Sequence, residues 1–138
     1  MRVKPRPNYV FINKYMKNHV MLDIAPIAKP RMTKSDKWKH RKIVEDYWKF
    51  KDEIKKICLI NDFKLSDKYR IRFVLPMPQT WASKKKALCY GAPHKQRPDL
   101  DNLIKAINDC LHDEDSGVYY IEASKIWGTS GYIYIENL

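Results

Sequence analysis

The chain has 138 residues, 44% of them hydrophobic and 12% aromatic, which suits one domain with a real core and argues against disorder. Its formal net charge of +11 favours a polyanionic partner, and no run approaches the ~18 apolar residues of a membrane span. Cys58, Cys89 and Cys110 have neither zinc-ligand nor CxxC spacing, so the sequence implies no disulfide framework and places the protein in a reducing, cytoplasmic compartment.

Taken in order, residues 1–18 are basic with aromatic interruptions and read as an arm preceding the core. Val20, Leu22 and Ile24 recur at a spacing of two, predicting a strand from His19 to Ala25 that Pro26 ends. The segment KPRMTKSDKWKHRK has too few apolar residues for a core and reads as an exposed loop. From Ile43 to Leu59 the period changes to helical, with Ile43, Tyr47, Phe50, Ile54 and Ile57 on one face. Tyr69 to Leu75 alternates as a second strand, stopped by Pro76 and Pro78. QTWASKKKALCYGAPHKQRP then reads as a long irregular connection. Asp99 to Leu111 is the clearest helix, with Asp99 as its N-cap and Leu100, Leu103, Ile107 and Cys110 or Leu111 as its stripe. Val118 to Trp127 and Tyr132 to Ile135 complete the pattern as strands joined by a turn at Gly128–Gly131. The sum is a mixed α/β (α+β) fold, one domain over residues 1–138, with about four strands and two main helices. Its sheet is expected to be covered on one face.

Charge is divided unevenly along this plan. From Asp99 onward eight acids face only Lys105 and Lys125, a balance of −6, so residues 1–98 carry +17. A basic body followed by an acidic segment suits a metal-using nucleic-acid enzyme; a basic protein with one solvated acidic helix fits the same numbers. The acids concentrate in RPDLDNLIKAINDCLHDEDS, residues 97–116. Asp99 and Asp101 flank the helix entry, where both can reach one ion. Asp101, Lys105 and Asp109 follow at steps of four, opposite the leucines. Asp113, Glu114 and Asp115 come after the helix, where the chain can turn back. Hard oxygen ligands of this kind hold Mg²⁺ between carboxylates and a phosphate, and a nearby lysine neutralises charge on the phosphoryl oxygens. A capping Asp99, an Asp101–Lys105 surface pair and a solvated DEDS turn account for the same residues without catalysis.

DLDNLIK behind a basic linker, followed by an acidic turn, resembles the RusA family of Holliday-junction resolvases, including its phage (bacteriophage) branch. The resemblance spans roughly residues 19–137, with residues 97–116 its specific part. It implies catalytic Asp99, Asp101, Asp115 and Lys105, the three aspartates being Mg²⁺ ligands with Mn²⁺ as a substitute. Asn102 matches the motif's asparagine, Asp109 an acidic position of the same helix, Glu114 the neighbour of the third acid, and Lys125 the lysine closing the next strand. A rival alignment places the third acid at Glu122. The resemblance further implies a homodimer that resolves four-way junctions and related branched DNA by paired symmetric nicks, serving recombination and repair in a bacterial or phage-infected cell.

The connection into Asp99 supplies candidate DNA contacts in Lys84, Lys85, Lys86, Lys95 and Arg97, with Trp81 and Tyr90 as aromatics for stacking or for local packing. Arg31 to Lys42 is a second basic candidate, and His94 a candidate proton donor or phosphate ligand. A non-catalytic module for branched DNA and an RNA-directed protein are the rival readings.

Overall fold

A computed structural model describes residues 18–138, so the predicted basic arm lies outside the described residues except for Asn18. Strand β1 (His19–Leu22) leads through an extended segment to a short helix α1 (Asp36–Lys39) and the long helix α2 (Lys42–Ile60). Strand β2 (Lys68–Pro76) follows, then helices α3 (Ser83–Cys89) and α4 (Leu100–Leu111), a 3₁₀ turn (Asp115–Gly117), and strands β3 (Tyr120–Gly128) and β4 (Tyr132–Asn137). The sheet order is β1-β4-β2-β3, with β2 and β3 parallel and the other neighbours antiparallel. This is the mixed four-stranded α+β architecture that the alternating patterns predict.

Period-two alternation in β2 sends Tyr69, Ile71 and Phe73 into the core, where they meet Val20 and Leu22 of β1 and Ile133 and Ile135 of β4. Helices α2 and α4 cover that face with Tyr47, Phe50 and Ile54, and with Leu103, Ala106 and Ile107. The stripe of α2 is rotated from the predicted one. Val44 and Cys58 are buried, whereas Ile43 is 55% exposed. Residues 44, 47, 54 and 58 keep the helical period while centring the face between the two apolar rows. Among the described residues the opposite sheet face is left open, forming a groove lined by Met21, Arg70, Arg72, Tyr132 and Tyr134.

The irregular connection of residues 79–98 is the main departure from the sequence reading. It contains α3, and its next residues dock on the free edge of β3. Gly91 N–H donates to Trp127 O, Trp127 N–H to Ala92 O, and His94 N–H to Lys125 O. Gly91 has φ +76°, a left-handed conformation that glycine adopts without steric cost, and this turns the chain from α3 onto that edge. Trp81 packs on Trp127 with ring centroids 4.8 Å apart, and His94 covers the same indole at 4.0 Å. The segment preceding the acidic helix is thus fastened to the sheet.

Candidate active site

The amphipathic pattern of α4 sets the site. Burying Leu103, Ala106, Ile107 and Cys110 against the sheet and α2 leaves Asp101 and Lys105 exposed on the outer side of the first two turns. Asp99 occupies the N-cap position in extended conformation, but its carboxylate makes no capping hydrogen bond. Asp101 and Lys105 form no ion pair with each other, and neither they nor Asp99 has another side-chain partner among the described residues. The two ordinary structural uses of these residues, cap and surface pair, are therefore not the ones the fold makes of them.

Asp109, two turns further on, is treated differently. Tyr47 Oη donates to it at 2.7 Å, Lys51 Nζ at 2.9 Å, and Lys29 Nζ lies at 3.4 Å. Burial alone would raise this carboxyl, but those hydrogen bonds and the two lysine charges carry it down to about 2. Asp109 ties α2 and the segment after β1 to α4. The face that sequence spacing assigns to Asp101, Lys105 and Asp109 together divides into a free head and a bonded tail.

Lys125 fixes the entry to the helix. From β3 its Nζ donates to Pro98 O at 2.6 Å and to Gln96 O at 2.5 Å, the carbonyls just ahead of Asp99. His94 is buried beside it. Its Nδ1 accepts Gln96 N–H at 3.4 Å, and burial together with the Lys125 charge pushes its pKa below the usual histidine value. These contacts make His94 a packing and loop-holding group. Of the predicted cations, Lys84, Lys95 and Arg97 are exposed around this entry, Lys86 is half-buried, and Lys85 caps the Trp81 ring at 4.1 Å. Tyr90 is exposed, whereas Trp81 packs locally. Sequence reasoning missed the lysine clamp because nothing in the spacing links residue 125 to the carbonyls at 96 and 98.

Asp115 lies elsewhere. It opens the 3₁₀ turn beyond the C-terminus of α4, exposed, and its charge is felt by Tyr69. The Tyr69 hydroxyl is raised chiefly by burial and donates to Asn108 in the last turn of α4 at 2.6 Å. At ~1.5 Å per residue, the helix between Asp101 and His112 is about 16 Å long, so Asp115 and the Asp99–Asp101 pair stand at opposite ends of it. Among the described residues, no three His, Cys, Asp or Glu side chains gather as a metal centre. The expected return of the acidic turn to the helix head does not occur within one chain. Glu122, the rival third acid, faces the open side of the sheet and is held by Arg70 at 3.0 Å and Tyr120 at 2.9 Å. It is bonded and on the wrong face.

Compared with known protein families, residues 23–136 match the one described as Endodeoxyribonuclease RusA. The chain belongs to the RusA family. No curated protein matches it. Membership makes the protein an endodeoxyribonuclease of the Holliday-junction resolvase type, acting on branched DNA. RusA nucleases generally depend on a divalent metal. The match takes in both basic segments as well as the acidic helix. No described helix is long and apolar enough to cross a membrane.

Proposed function

We propose that this RusA protein is a magnesium-dependent homodimer that resolves four-way DNA junctions by paired symmetric nicks, with Asp99, Asp101, Asp115 and Lys105 as its catalytic residues. The observation that carries the reading is the exposed trio Asp99, Asp101 and Lys105, without side-chain partners among the described residues, beside a helix entry held by Lys125. Two hard carboxylates suit Mg²⁺, which commonly takes one or two protein carboxylates and completes its shell with water and phosphate. When bound, the ion would supply Lewis acidity at the phosphate and an activated water. Lys105, one turn beyond Asp101, neutralises charge developing on the phosphoryl oxygens. Lys84, Lys85, Lys86, Lys95 and Arg97 engage flanking phosphates, without reading bases. The three free thiols fit action in the cytoplasm of a bacterial or phage-infected cell.

The distance along α4 gives the dimer a chemical purpose. A two-fold assembly can bring Asp115 of one protomer to Asp99 and Asp101 of the other, and it matches the symmetry of the junction. The first test is cleavage of a labelled four-way junction, with and without Mg²⁺, beside a linear duplex of the same sequence. Paired nicks confined to the junction and dependent on Mg²⁺ are expected; tight binding with no cutting under any divalent ion would reduce the protein to a binding module. Co-folding Asp101→Asn chains with Asp115→Asn chains then tests the shared site. If the acids meet across protomers, each heterodimer keeps one intact site and regains nicking. If they meet within a chain, the mixture stays inactive.

A further inference from the structure

The segment between β1 and α2 is built around a buried carboxylate that the proposed chemistry does not use. Asp36 is 5% exposed and accepts Arg41 Nε at 2.7 Å, Arg41 Nη2 at 2.8 Å and the backbone N–H of Thr33 at 2.6 Å. Arg41 Nη2 also donates to Arg31 O at 2.9 Å, closing residues 31–41 into a ring of contacts. His40 turns the chain at φ 52°. The staple thereby holds α1 outward, with Trp38 67% exposed at its surface. A tryptophan this accessible gains little from the core, and the described residues leave most of its indole uncovered.

Its surroundings say what it can meet. Arg31, Lys34 and Lys39 are exposed and have no side-chain salt-bridge partner among the described residues, whereas His40 pairs with Glu45 and Lys42 with Asp46. Three cations in the same stapled loop as an exposed indole, without ion pairs among the described residues, suit a polyanion that also offers flat apolar faces. The loop also begins beside the candidate active site. Lys29 N–H donates to Asn102 O at 3.3 Å, next to Asp101, and Lys29 Nζ reaches Asp109. Two residues later the stapled loop leaves the acidic helix. The loop is thereby anchored at its start to the helix that carries Asp101.

We infer that the 31–41 loop is a nucleobase-binding site, in which Trp38 stacks on an unpaired base at the branch point while Arg31, Lys34 and Lys39 hold the adjoining phosphates. Duplex interiors offer no free base face, so the site distinguishes branched from linear DNA, a discrimination that phosphate contacts alone do not provide. The inference rests on the proposed action on junctions. It is tested by measuring Kd of wild type, Trp38→Ala and Trp38→Phe, with Ca²⁺ in place of Mg²⁺, for a four-way junction and a linear duplex of one sequence. Melting temperatures are recorded alongside. Trp38→Ala is expected to weaken junction binding roughly ten-fold, the scale of one lost stack, and to leave duplex binding and melting unchanged; Trp38→Phe should recover most of the loss. Equal weakening on both DNAs, no weakening on either, or loss of the dimer would overturn it. If wild type itself neither prefers nor cuts junctions, the functional reading fails first; if it does and Trp38→Ala behaves identically, this site alone is wrong.

Discussion

The two ends of α4 use the same residue types for opposite purposes. At its tail, Asp109 is enclosed by Tyr47, Lys51 and Lys29, and each contact joins the helix to another part of the fold. At its head, Asp99, Asp101 and Lys105 are turned outward and have no side-chain partner among the described residues. Like charges kept close together at an exposed helix entry add little stability beyond a favourable helix dipole, worth about 0.3–1 kcal/mol. The difference teaches that the acidic character of this segment has two origins, and that bonding pattern separates them where spacing does not.

The comparison breaks most readily at Asp101. Asp101→Asn should lower junction cutting by roughly a thousand-fold or more while binding persists and stability changes by no more than about 1 kcal/mol, as single-turnover kinetics and thermal melting would show. A fall in melting temperature with cutting retained would make the head structural after all. Lys105→Ala should follow with a loss on the order of a hundred-fold in rate at saturating junction, since one charge-stabilising donor is removed. Lys125→Met is expected to cost roughly ten- to a hundred-fold in rate and to raise the Mg²⁺ concentration needed for half-maximal cutting, because Asp99 loses its fixed entry. Lys125→Arg should restore part of this, and a uniform loss of binding and stability would argue against a positioning role.

The smallest effect on cutting belongs to the tail. Asp109→Asn should leave the rate unchanged below the melting transition and cost about 1 to 2 kcal/mol of stability near neutral pH, read from denaturant unfolding. The sign with pH is fixed by the depressed carboxyl. Asp109 titrates at about 2 in the fold and near the ordinary ~3.9 when unfolded, so its contribution is present above the unfolded value. It fades as pH falls from about 4 to 2, and wild type and variant should converge there.

Much of this was legible in the sequence, and the parts that were not share a cause. Strands β2 and β4 and helices α2 and α4 follow from apolar period within a residue or two, because burial of one face dictates the period. Asp99 at the N-cap and Asp101 in the first turn were equally readable from Pro98 and the leucine stripe. Helix α3 escaped because it buries no residue, leaving no stripe to detect. The division between Asp101 and Asp109 escaped because it depends on Tyr47 and Lys51, more than fifty residues away. The separation of Asp115 from the helix head is likewise a matter of where the 3₁₀ turn points, which composition does not encode.

The strip from Gly91 to His94 carries a consequence for how copies of this protein can associate. A free strand edge ordinarily invites another strand to add to it, the first step of runaway aggregation. Here the donors of the strip are already spent or missing. Gly91 and His94 donate inward to β3, the Ala92 N–H is occupied by Cys89 O, and Pro93 has no N–H to offer. Strand addition is thereby blocked along the Lys125–Trp127 stretch of β3 that the strip covers. Among the described residues, the edges left for a second strand are β1 and the Tyr120–Ser124 half of β3, so the strip halves the length over which one side of the sheet can grow.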